Sequence, residues 1–186
     1  MSDRKFLFLL GSSRSGGNTE TLARLAAEQL PDSVEQRWLH LEDLPLGPFR
    51  DVRHAEGPAP AAALTGHAAT LLEATLEATD LVIASPVYWY SVSSSTKLYL
   101  DHWEYWLNEP DVDFKERMKG HTLWGVTALA GRDRADADPL VGTLRISARY
   151  LAMNWGGALV GNGSKPGDVL NDSDATARAK TFFDLG

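Results

Sequence analysis

The residues of this chain best suited to chemistry stand together in Gly11-Ser12-Ser13-Arg14-Ser15-Gly16-Gly17-Asn18-Thr19, between an apolar run at 6–10 and a helical pattern that starts near Glu20. Small residues opening a helix leave backbone N–H groups unpaired, and the positive helix end faces the same way. Ser12, Ser13, Ser15 and Thr19 add hydroxyls, Asn18 an amide that donates or caps, and Arg14 a charged fork matched to phosphate oxygens. The helix end contributes about 0.3–1 kcal/mol to an exposed anion, so hydrogen bonds must carry most of the grip. No Lys followed by Ser or Thr comes after the glycines, which excludes a nucleotide-triphosphate P-loop. Gly11, Gly16 and Gly17 also miss the G-x-G-x-x-G spacing of a dinucleotide fingerprint. A phosphate monoester is the expected ligand; the bland alternative is an ordinary Ser/Gly loop.

A second segment, Ser85-Pro86-Val87-Tyr88-Trp89-Tyr90-Ser91-Val92-Ser93-Ser94-Ser95-Thr96, follows another short apolar run. Pro86 gives a firm strand exit, and three adjacent rings suit a flat heteroaromatic ligand, or else cover a sheet edge. A third loop, Ala128-Leu129-Ala130-Gly131-Arg132-Asp133-Arg134, offers a glycine for close approach. Its two arginines are either phosphate-attracting or ordinary surface residues. The histidines show no metal-ligand spacing, and no G-x-S-x-G elbow supports a serine nucleophile, so neither a metal nor a catalytic side chain is expected.

These loops need strands and helices to hold them. Strands are expected at 5–10, 34–41, 80–84, 121–127 and 157–160, and helices at 19–29, 61–77, 93–107, 139–153 and 174–183. The alternation implies an α/β three-layer sandwich whose parallel sheet runs in the order 2-1-3-4-5. That order opens a crevice beyond the carboxyl ends of strands 1 and 3, where the first two loops lie. The Pro-rich connection 42–60 reads as a surface excursion, or alternatively as a lid or subunit contact. Residues 161–167 either reach the site or only connect to the last helix. Trp89, Trp103, Tyr105 and Trp106 exceed what one helix face needs, which suggests a homodimer, with a monomer of thick aromatic core as the alternative.

With 186 residues, one domain over 1–186 is the simplest organisation. The chain is 44% apolar yet has no apolar run of spanning length and no signal-like start, so a cytoplasmic protein without membrane contact is expected. The absence of Cys removes disulfides, thiolate metal sites and cysteine nucleophiles. A net charge of -7 without a basic block argues against nucleic acid.

The stretches LFLLGSSRSGGNT at 7–19 and LVIASPVYWYSVSSSTKLYLDHW at 81–103, with WGGALVGNG at 155–163, resemble the NAD(P)H-dependent FMN reductase family of the flavodoxin-like fold. This family includes small quinone and azo-compound reductases. The resemblance implies that Ser12, Arg14, Gly17, Asn18 and Thr19 hold the FMN phosphate, and that Pro86, Val87, Tyr88 and Trp89 border the ribityl chain and isoalloxazine. It also places Ala130 and Gly131 beside the flavin ring, and Arg132 or Arg134 near the phosphates of NADPH or NADH. Lys97 and Asp101 match the family's Lys-x-x-x-Asp element; the Arg that usually follows is His102 here. The implied activity is hydride transfer from the nicotinamide through FMN to a quinone, flavin or azo acceptor, in a homodimer or homotetramer. A one-electron flavodoxin-type carrier and a flavin-free binding protein are the competing readings.

Overall fold

Alternation of side chains across buried strands divides the core into two layers, one on each face of the sheet. The structure, a computed structural model, describes residues 4–51, 64–131 and 133–184. Strand β1 (Lys5–Leu10) is buried after its first residue. Phe6, Phe8 and Leu10 join one core cluster, and Leu7 and Leu9 join the other. The remaining strands are β2 (Glu35–His40), β3 (Asp80–Ala84), β4 (Thr122–Leu129) and β5 (Asn154–Asn162), all parallel in the order β2-β1-β3-β4-β5. The expected flavodoxin-like topology is the observed one.

Helices α1 (Asn18–Ala27) and α6 (Ser173–Ala179) cover one face through Leu22, Ala23, Ala26, Ala175 and Ala179. Helices α2 (Gly66–Glu77), α3 (Ser94–Leu107), α4 (Phe114–Met118) and α5 (Asp138–Tyr150) cover the other. Sequence reading missed α4, a short helix held by buried Phe114 and Met118. The start of the helix expected at 61–77 lies outside the described residues.

Two boundaries moved for identifiable reasons. β5 begins at Asn154, ahead of the expected 157, because the register shift beside Trp124 carries the strand through Gly156 and Gly157. A Cβ on Gly156 would stand 2.4 Å from the Trp124 ring. The last helix stops at Ala179, and Phe182 and Phe183 turn back to meet Trp124 edge-on.

The rings of α3 are core residues. Trp103, Tyr105 and Trp106 are buried, and Tyr99 and Trp106 meet edge-on with centroids 5.8 Å apart. Their density is satisfied within one chain, so it gives no argument for a subunit contact. The Tyr105 hydroxyl accepts from the Arg50 N–H at 2.7 Å and donates to the Arg50 carbonyl at 2.9 Å, fastening residues 42–51 to α3. The rest of the long connection lies outside the described residues.

Candidate functional site

At the switch point the chain leaves β1 through Gly11, whose N–H donates to the Ala84 carbonyl of β3 at 2.9 Å. A Cβ on Gly11 would lie 1.9 Å from Thr96 Oγ1 and 2.9 Å from Ser93 Oγ, so only glycine lets the start of α3 come this close. Ser93 caps α3 by accepting from the Thr96 N–H at 3.2 Å, and Ser95 Oγ donates to the Gly11 carbonyl at 3.3 Å. The loops after β1 and β3 are thereby fixed against each other before any ligand arrives.

Within the first loop, Ser12 Oγ accepts from the Arg14 N–H at 3.1 Å, and Gly16, at φ +67°, donates its N–H to Glu20 Oε2 at 2.7 Å. Glu20 stands three residues beyond the Gly17 N-cap and reaches back past it to Gly16, one residue further than in a capping box. Its other oxygen pairs with Arg24 at 2.7 Å, and His40 Nε2 lies 3.7 Å from Oε2. Burial opposes ionisation of Glu20, but the Gly16 N–H, Arg24 and His40 outweigh it and hold the carboxyl below the ordinary glutamate value. Among the described residues, the N–H groups of Ser13, Ser15 and Gly17 and the Arg14 guanidinium have no hydrogen-bond partner. Helix α1 opens without a side-chain cap. The loop therefore presents unspent donors in a braced frame, as an anion site requires.

Of these residues, Arg14 and Gly17 border a cleft of about 140 Å³, lined also by Ser12, Asn18, Thr19, Pro86, Val87, Tyr88 and Ala130. Trp89 and Gly131, the other two expected residues, do not line it. Trp89 sits at a turn tip and is 93% exposed, while the Gly131 carbonyl accepts from the Asn162 amide. Ala128, Gly163, Ser164 and Pro166 complete the wall, so residues 161–167 do reach this cleft. Asn18 explains how: its amide donates to the Lys165 carbonyl at 2.9 Å and its carbonyl accepts from the Val169 N–H at 3.2 Å. Its side chain thus positions the β5–α6 loop, leaving its backbone N–H at the helix start for an anion.

Arg134 is committed elsewhere. Its guanidinium grips both Asp172 oxygens at 2.6 and 2.7 Å and reaches Asp174 at 2.7 Å and the Val160 carbonyl at 3.0 Å. Arg132 lies outside the described residues. Lys97 and Asp101 form a 2.5 Å surface pair on α3, worth a few tenths of a kcal/mol. His102, where the family usually carries Arg, is buried and turns its Nδ1 to the Leu98 carbonyl at 2.9 Å.

The second loop has a rigid base. Buried Ser85 donates its N–H to Val126, the Val87 N–H reaches Ala128, and Ser85 Oγ accepts from the Ser93 N–H at 2.9 Å. Tyr88 and Ser91 then exchange backbone hydrogen bonds of 3.0 and 3.1 Å around Trp89 and Tyr90.

The chain matches the NADPH-dependent FMN reductase family over residues 4–154. It belongs to that family. A Bacillus subtilis (strain 168) protein, whose name describes an NAD(P)H-dependent FMN-containing oxidoreductase, YwqN, is 28% identical over 180 residues, covering 96% of each chain. Among solved structures, the Trp repressor binding protein from Bacillus subtilis aligns with TM-score 0.76 and 24% identity over 97% of this chain and 99% of its own. An azoreductase from Bacillus anthracis str. Sterne aligns with TM-score 0.63 and 18% identity over 96% and 99%. Both share the fold.

The residues present fit the cofactor of an FMN reductase. The unpaired donors around Arg14 suit a phosphate monoester, and the small or apolar wall of Pro86, Val87, Ala128 and Ala130 suits a flat ring. Pockets that bury a ligand of this size run to about 300–1,000 Å³, so a cleft of about 140 Å³ encloses only part of such a molecule and leaves the rest open.

Proposed function

We propose that this protein works as an NAD(P)H-dependent FMN reductase that delivers reducing equivalents to a flat small-molecule acceptor: a quinone, a flavin or an azo compound. FMN, when bound, supplies the hydride chemistry, and the chain supplies binding, alignment and access. Ser12, Arg14, Gly17 and Thr19, with the Asn18 N–H, take the phosphate. Pro86, Val87 and Tyr88 border the ribityl chain and ring, and Ala130 brings backbone close to its polar edge. No side chain is needed as an acid or base.

The observation that carries this reading is the pairing of the unspent donors of Arg14 and Gly17 with an apolar, partly open wall across the same cleft. An open ring face admits donor and acceptor in turn, which is what a two-substrate reductase needs; a one-electron carrier is better served by a covered ring.

We treat 1–186 as one FMN-binding domain working in the cytoplasm. Among the described residues no helix is long and apolar enough to cross a membrane. A homodimer or homotetramer remains our expectation. Exposed Ile146 and Tyr150 beside the α3/α5 groove support it; the buried rings of α3 do not.

The test is anaerobic mixing of FMN-loaded protein with NADPH and, separately, NADH, following flavin absorbance. Fast loss of the oxidised band with either donor is expected and names the donor. Slow or absent bleaching with both, in protein that holds FMN and accepts single electrons from a chemical reductant, would establish the carrier instead.

A further inference from the structure

Trp89 and Tyr90 occupy the two central positions of a type I′ turn, at φ 48° and 65°, closed by the reciprocal Tyr88–Ser91 hydrogen bonds. Such turns demand positive φ at both positions and are normally built from Asn, Asp or Gly. Two bulky aromatic residues here adopt a backbone that L side chains avoid, and burial among the described residues does not repay them, since Trp89 is 93% and Tyr90 54% exposed. Strain of this kind persists where a function depends on it, and the Ser85, Val87 and Ser93 hydrogen bonds at the base hold the turn in place. The turn also adjoins the cleft, because Tyr88 lines the cleft wall and Trp89 follows it directly.

We propose that Trp89 is a specificity-determining platform for the second substrate, stacking on a flat aromatic acceptor at the open mouth of the cleft rather than on FMN. This rests on the reductase reading above. An exposed indole beside a partly enclosing cleft offers a large, rigid apolar face with little rotamer freedom to lose. It favours planar acceptors over compact ones, because a compact ion cannot cover the ring.

The test uses the FMN-loaded protein and two acceptors, the planar quinone menadione and the compact ion ferricyanide, with Trp89→Asn and Trp89→Phe. Asn accepts the left-handed backbone, so W89N should melt at or above the temperature of the parent, whereas a ring needed for folding would lower it. The ratio of kcat/KM for menadione to that for ferricyanide should fall at least tenfold in W89N and return to within threefold in W89F. An unchanged ratio overturns the proposal. So does a tenfold loss of FMN affinity, which would put the indole in the flavin site, or dissociation of a native oligomer, which would make it a subunit contact. If the parent protein holds no FMN, the reductase reading fails and this inference goes with it; if the parent turns over and the ratio does not move, this inference alone fails.

Discussion

Glu20 holds Gly16 by a 2.7 Å hydrogen bond from the glycine N–H, so a carboxylate at the start of α1 braces the loop that follows β1. Its other oxygen is paired with the Arg24 guanidinium at 2.7 Å, which offsets its charge. Since the folded-state pKa of Glu20 lies below its ordinary value, its contribution to stability is present above that value and is lost as pH falls through the folded one. Glu20→Gln should therefore flatten the acid limb of a melting-temperature profile taken from neutral pH to pH ~3. A profile as steep as the parent's would show that the carboxylate contributes nothing there.

Arg134 carries the opposite expectation from a nicotinamide-phosphate ligand. It clamps Asp172, whose ionisation burial opposes but which the Ala175 and Asn162 N–H groups and Arg134 stabilise, leaving its pKa lowered. Arg134→Ala leaves a nearly buried carboxylate without its cation. Allowing for the partial exposure of Arg134, the cost should be about 1–3 kcal/mol in urea unfolding, with KM for NADPH within about threefold of the parent. A tenfold rise in that KM at unchanged stability would return Arg134 to the substrate site.

How much of this was readable in advance depended on the range of the interactions. The strands at 5–10 and 80–84 were placed to the residue, because continuous apolar runs between turn residues have few other readings. The sheet order followed from alternation and crossover handedness. The true partners of Arg134 were not legible, since Asp172 is 38 residues away and many acids compete for it on paper. For the rings of α3 the spacing of Tyr99, Trp103 and Trp106 on one helix face, the pattern of a core stripe, favours the aromatic-core alternative over a subunit contact. For Trp89 the residue types suggest a flat ligand and the resemblance names the flavin, while its exposure depends on a turn geometry that those types disfavour.

Gly11 should be the least replaceable residue of the first loop. Its missing side chain is where Thr96 and Ser93 approach from α3, and the position is buried. Gly11→Ala must push the helix start away or break the Ser93 cap, at a cost of about 1–3 kcal/mol. Flavin affinity should fall with it, because the same shift parts the two loops that form the cleft. Gly47→Ala, with open space around its Cβ, is the control. Equal unfolding midpoints for the two variants would show that the contact relaxes without loss.

Arg14→Ala should separate recognition of the phosphate from recognition of the ring. Arg14 is exposed and without a partner among the described residues, so truncation removes no structural contact, and stability should change by no more than about 0.5 kcal/mol. A charge-assisted hydrogen bond to a phosphate is worth about 1.5–3 kcal/mol, which predicts a loss of roughly 10- to 100-fold in FMN affinity for Arg14→Ala. Riboflavin, which presents the same ring without the phosphate, should bind the variant and the parent alike. Titration of both flavins by fluorescence quenching decides it: a parallel loss for FMN and riboflavin would mean that Arg14 shapes the cleft, and no loss for either would move the phosphate to another part of the loop.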